Sequence, residues 1–78
     1  MNMKVIKTTD LALVALLSLE FNIIEMDRGE GGRVTFSFEE TPKLNKTMAK
    51  YWALEAKVEP QKYFNQIRLI KSRIYNNG

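Results

Sequence analysis

The nine residues from Leu11 to Leu19 contain eight apolar side chains and one polar one, Ser18. Asp10 stands directly in front of them, after Thr8 and Thr9. Asp10 or Thr9 in that place can accept hydrogen bonds from the free amides of a first helical turn, so a helix is expected over roughly 10–20. A helix with no polar face must be covered on every side. In a chain of 78 residues the available cover is the chain's own sheet and later helices, or a second copy. The second option makes Leu13, Leu16 and Leu17 candidate oligomer-interface residues. It agrees with the marginal stability of domains this small, and a homo-oligomer is expected. Glu20 and Asn22 end the run well short of the ~20 apolar residues of a membrane span, so no membrane role is expected. Lys4 and Lys7 ahead of the run resemble the start of a secretion signal. Asp10 interrupts that pattern and no small-residue cleavage site follows, so a cytoplasmic location is expected.

The rest of the chain reads as short strands and two amphipathic helices. Residues 3–8 suit a first strand or extended arm. Phe21 to Met26, with β-branched Ile23 and Ile24, favour a strand. Val34, Phe36 and Phe38 alternate with Arg33, Thr35, Ser37 and Glu39, the pattern of a half-buried strand. Between these two lies Arg28-Gly29-Glu30-Gly31-Gly32. It leads into a strand rather than a helix, so it reads as the turn of a hairpin over about 21–39 and not as a phosphate-binding loop. Thr41-Pro42 opens a second helix carrying Leu44, Met48, Tyr51 and Trp52 to about Leu54. Glu59-Pro60 opens a third carrying Tyr63, Ile67, Ile70 and Ile74. The expected fold is a single small α+β domain over residues 1–78. Its order is β-α-β-β-α-α, with a short antiparallel sheet packed against helices.

Composition removes much chemistry. The sequence has neither cysteine nor histidine. Disulfides, thiol nucleophiles, Cys/His zinc sites and the usual general base near neutral pH are therefore excluded. The carboxylates Glu25, Asp27, Glu30, Glu39 and Glu40 gather at the hairpin, where they suit a soluble edge that resists strand-to-strand aggregation. No enzyme activity, metal or cofactor is expected. Charge is uneven: the net +3 divides into −3 over residues 1–40 (four Lys/Arg against seven Asp/Glu) and +6 over residues 41–78 (eight against two). Lys43, Lys46 and Lys50 form a row on the second helix. On the third, Phe64, Arg68, Lys71 and Tyr75 flank one side of the apolar stripe, and Lys62, Gln66 and Arg73 flank the other. Cations beside exposed rings are what nucleic-acid surfaces use, for phosphates and for stacking.

Three groups of residues carry a family resemblance. They are Lys7-Thr8-Thr9-Asp10-Leu11 ahead of the Ala/Leu helix, Arg33-Val34-Thr35-Phe36-Ser37-Phe38-Glu39, and the set Tyr51-Trp52, Val58-Glu59-Pro60, Tyr63 and Lys71-Ser72-Arg73-Ile74-Tyr75. Over roughly 5–75 the chain resembles a family of small proteins from bacteria, phages and other mobile elements known only as a domain of unknown function. The resemblance implies a phage or mobile-element setting, in the host cytoplasm, and no activity. The functional expectation is a non-enzymatic binding protein that holds an anionic partner through Lys43, Lys46, Lys50, Arg68, Lys71, Arg73 and Tyr75. That partner is nucleic acid, or a nucleotide-type ligand between subunits. The alternative is an effector that binds a host protein, such as a defence enzyme, through the acidic hairpin edge or the first helix.

Overall fold

The computed structural model describes residues 3–76. The elements are β1 (Val5–Thr8), α1 (Leu11–Ser18), β2 (Glu25–Arg28), β3 (Val34–Glu39), α2 (Pro42–Trp52) and α3 (Pro60–Asn76), with a 3₁₀ turn at Glu30–Gly32 inside the hairpin. The order β-α-β-β-α-α and the α+β class are as expected. The strands form one antiparallel sheet in the order β1-β3-β2. The alternating strand, β3, is therefore central. The N-terminal arm pairs within its own chain, Ile6 opposite Phe38 and Thr8 opposite Phe36.

Alternation decides which face of the sheet meets the helices. Val34, Phe36 and Phe38 are buried with Leu13, Val14, Ala15, Leu17, Leu44 and Ile70 in one cluster. Lys7, Glu25, Asp27 and Glu39 lie exposed on the other face. Ser37 lies on this second face, opposite Phe36 and Phe38, and is nonetheless buried. It is a small side chain on the central strand, with the long side chains of Lys7 and Glu25 as its cross-strand neighbours.

The all-apolar helix is covered from within. α1 packs against both α2 and α3, and its sheet-facing residues join the β3 cluster. Leu13, Leu16 and Leu17 are 1 %, 7 % and 0 % exposed in a single chain. The expectation of these leucines at an oligomer interface is corrected by that burial. Leu13 and Leu17 have no surface left to offer a second copy, Leu16 keeps only an edge that lines a cleft beside α2, and self-association would have to rest mainly on another surface.

The expected second strand is also shortened. Residues 21–24 are not strand, and the hairpin runs over 25–39. The chain here leaves α1 and crosses to the sheet edge. The Phe21 amide still donates to the Leu17 carbonyl at 2.8 Å, and Phe21 and Ile23 drop their side chains onto the core. Their hydrophobicity serves that crossing rather than a ladder. The turn itself is as read. The Gly29 amide donates to the Arg33 carbonyl at 2.7 Å, and Gly31 and Gly32 have φ of 74° and 78°. A Cβ at Gly31 or Gly32 would meet nothing within 4 Å, so backbone conformation alone asks for glycine there.

α2 ends in a Schellman motif. The Glu55 amide donates to the Lys50 carbonyl at 2.8 Å and the Leu54 amide to Tyr51 at 3.1 Å. The left-handed residue is Leu54 (φ 61°), where glycine is usual. Leu54 is 93 % exposed, so this strained position buries nothing in return.

Candidate functional site

The helices that carry the basic residues are fixed to α1 by polar clasps. Asp10 caps α1 through Oδ1, which accepts from the Ala12 amide at 3.0 Å and the Leu13 amide at 3.4 Å. Its Oδ2 accepts from the Tyr51 hydroxyl of α2 at 2.9 Å. On α3, the Tyr63 hydroxyl donates to the Ala12 carbonyl at 3.0 Å, and the Gln66 amide donates to Ser18 Oγ at 2.8 Å. Tyr63 and Gln66 bracket α1 from end to end and so fix the roll of α3. The Tyr51–Trp52 pair divides as its adjacent positions require. Tyr51 is half-buried in the clasp, and Trp52 lies exposed with the rings edge to face at 5.0 Å.

Burial first, then the hydrogen bond to Asp10 and that carboxylate's charge, push the Tyr51 phenol from 10.0 up to about 12, with Tyr63 adding to the rise. Burial and the Asp10 charge raise Tyr63 in the same direction. The unfolded chain releases these protons near 10, before the folded chain does. Stability is therefore full below about pH 10 and falls as pH rises towards about 12. Urea titrations at pH 8 and pH 11 are expected to show a fall that Tyr51→Phe reduces. At pH 8 the same variant costs about 1–3 kcal/mol, because it removes a hydrogen bond to a charged group. An unchanged pH dependence in Tyr51→Phe would contradict this role.

With its roll fixed, α3 turns Tyr63, Ile67, Ile70 and Ile74 inward. The helix carries Lys62, Arg68, Lys71 and Arg73 and no acidic residue. Phe64, Arg68, Lys71 and Tyr75 recur at i, i+4, i+7 and i+11. They fall within about 60° of one another on the helix, and all are exposed. Phe64 is 60 % and Tyr75 78 % exposed. A shallow groove of about 350 Å³ along this face is lined by Gln61, Phe64, Asn65 and Arg68. It thus offers a ring, two amides and a guanidinium side by side.

The other expected contacts lie elsewhere. Arg73 sits about 160° round α3 from Lys71, on the flank of Lys62, and it does not share the aromatic face. Lys43, Lys46 and Lys50 are exposed in one row on α2. The two basic rows belong to helices that meet mainly through α1 rather than through each other. Lys50 lines a separate cleft of about 410 Å³ with Glu20, Glu55 and Lys57, so its surroundings are of mixed charge. Among the described residues, no group of three acidic side chains is arranged to hold a metal ion. None of the helices there is long and apolar enough to cross a membrane.

Two arginines went unmarked in the sequence. Arg28 donates from Nη2 to the Ile74 carbonyl and so ties β2 to the end of α3. Arg33 lines a depression of about 530 Å³ that also includes Tyr75. The signal was their placement on either side of the glycine turn, which brings basic groups to whatever the turn approaches.

Fold and surface together define a small α+β domain with a three-stranded sheet, helices on one face, and a basic, aromatic outer helix. Residues 3–76 match the model of the family described as a domain of unknown function (DUF5659), and the chain belongs to that family. No curated protein and no solved structure matches it.

Proposed function

We propose that this protein is a non-enzymatic binding module that holds a polyanion, nucleic acid foremost, on the exposed face of α3. One observation carries the reading: Phe64, Arg68, Lys71 and Tyr75 are aligned and exposed on a helix that has no acidic residue. Cations along such a face neutralise phosphates, and the rings offer stacking surfaces that suit any base. The proposed setting is a phage or related mobile element acting in the host cytoplasm. It rests on the family resemblance carried by Arg33–Glu39, Tyr51-Trp52 and Lys71–Tyr75.

The reading predicts salt-sensitive binding. For single strands, log affinity falls with log salt by about 0.7 per phosphate neutralised. Contacts from Arg68 and Lys71 alone imply a slope of about −1.4 or steeper in fluorescence anisotropy with a labelled oligonucleotide. A flat salt dependence, or no binding at low salt, would remove the reading.

A specific observation favours one rival, an effector that binds a host protein. Exposed Leu54 and Val58 line an apolar cleft of about 310 Å³ together with Leu16, Ala56, Tyr51 and Tyr63, and exposed Trp52 follows Tyr51 in the chain. A strained, solvent-facing leucine beside an exposed tryptophan suits an apolar contact that responds little to salt. The first helix contributes only Leu16 to that cleft, Leu13 and Leu17 being buried in the core.

A further inference from the structure

We propose that the strand held by α3 is single-stranded, and that one of its bases stacks on Tyr75 in the depression between the end of α3 and the glycine turn, with Arg33 on the adjoining phosphate. This rests on the preceding reading and names the form of nucleic acid the site takes. In a duplex the bases are stacked on each other and the backbone faces outward. Exposed rings on a contact face then gain little, whereas unpaired bases can be splayed onto them. Phe64 and Tyr75 are about 16 Å apart along the helix at 1.5 Å per residue. At ~3.4 Å per nucleotide of a stacked strand, that separation covers about five nucleotides. Arg68 and Lys71 lie between the two rings, where the intervening phosphates would pass.

The depression at the Tyr75 end is a built feature. Its lining includes apolar Leu11, Val34 and Ile74; the turn supplies Gly31, Gly32 and Arg33 as its wall on that side, and α3 supplies Tyr75. Its volume, about 530 Å³, lies within the ~300–1,000 Å³ of small-ligand clefts. Two bonds hold the wall in place: Gly29 N–H to the Arg33 carbonyl at 2.7 Å, and Arg28 to the Ile74 carbonyl. The second has an electrostatic effect as well. The C-terminal end of a helix carries partial negative charge that repels phosphate. The Arg28 guanidinium sits on one of those carbonyls and offsets it, so a phosphate beside Arg33 is not opposed by α3.

The test is anisotropy of the full chain with a fluorescein-labelled 12-nucleotide single strand, a hairpin duplex of equal length and a labelled mononucleotide. The single strand is expected to bind at least tenfold more tightly than either of the others. Tyr75→Leu should lose about tenfold on the single strand, Tyr75→Phe should stay within about twofold, and Arg33→Gln should lose severalfold. All three variants should melt with the parent, since both positions are exposed. Salt-sensitive binding that is equal for duplex and single strand, and indifferent to Tyr75→Leu, would overturn this inference and leave the polyanion reading standing. No binding to any form would remove both.

Discussion

Leu17→Asp is expected to unfold the protein, not to release a folded monomer from an assembly. Leu17 is fully buried within one chain, beneath α2, α3 and the sheet. Losing a buried leucine costs about 2–5 kcal/mol by itself. An unpaired carboxylate in the same place adds several more. At ~0.05–0.15 kcal/mol per residue, the whole domain has only about 4–12 kcal/mol to lose. Far-UV circular dichroism at 25 °C should show no cooperative melt. Leu69→Asp, on the solvent side of α3, should cost less than about 1 kcal/mol. A soluble, folded Leu17→Asp monomer would contradict the account, because it would return this residue to a subunit interface.

The second large effect is on binding. Arg68→Glu with Lys71→Glu is expected to weaken oligonucleotide binding by more than about 100-fold. Two charge-assisted contacts at about 1.5–3 kcal/mol each amount to that much, before the repulsion from the new carboxylates. Both side chains are exposed, so stability should stay within about 0.5 kcal/mol. The informative control carries the same change in net charge elsewhere. Lys62→Glu with Arg73→Glu alters the opposite flank of α3, and Lys43→Glu with Lys46→Glu alters α2. Each control pair should weaken binding by less than about tenfold, through the general field alone. If all three pairs weaken binding equally, net charge rather than the α3 face is responsible.

Most of the fold was legible because local rules and tertiary context agreed. Asp10, Thr41 and Glu59 cap the helices they precede, and the Glu59 side chain accepts from the Lys62 amide at 2.8 Å. Alternation in 34–38 found the central strand, and four apolar residues of α3 found its inward face. Burial of the first helix was legible too, but what covers it was not. A helix apolar on all sides has no preferred direction, so sequence cannot distinguish a sheet and two helices from a second copy. The same limit explains Phe21 and Ile23, whose hydrophobicity reflects packing of a crossing segment rather than pairing. For the site, helical spacing found Phe64, Arg68, Lys71 and Tyr75. It also separated Arg73, which the expectation of one basic surface had put back with them. Arg28 and Arg33 went unmarked because their role depends on the turn reaching the end of α3, a contact between residues 46 apart in the case of Arg28 and Ile74. No periodicity encodes such a contact.

The most direct test of the central claim is a ¹H–¹⁵N correlation spectrum of the protein, titrated with a short single-stranded oligonucleotide at low salt. The account predicts the largest shifts at Phe64, Arg68, Lys71 and Tyr75, extending to Gly31, Gly32 and Arg33, with little change at Trp52, Leu54 and Val58. Shifts centred on Trp52, Leu54 and Val58, or a spectrum that does not change, would contradict it.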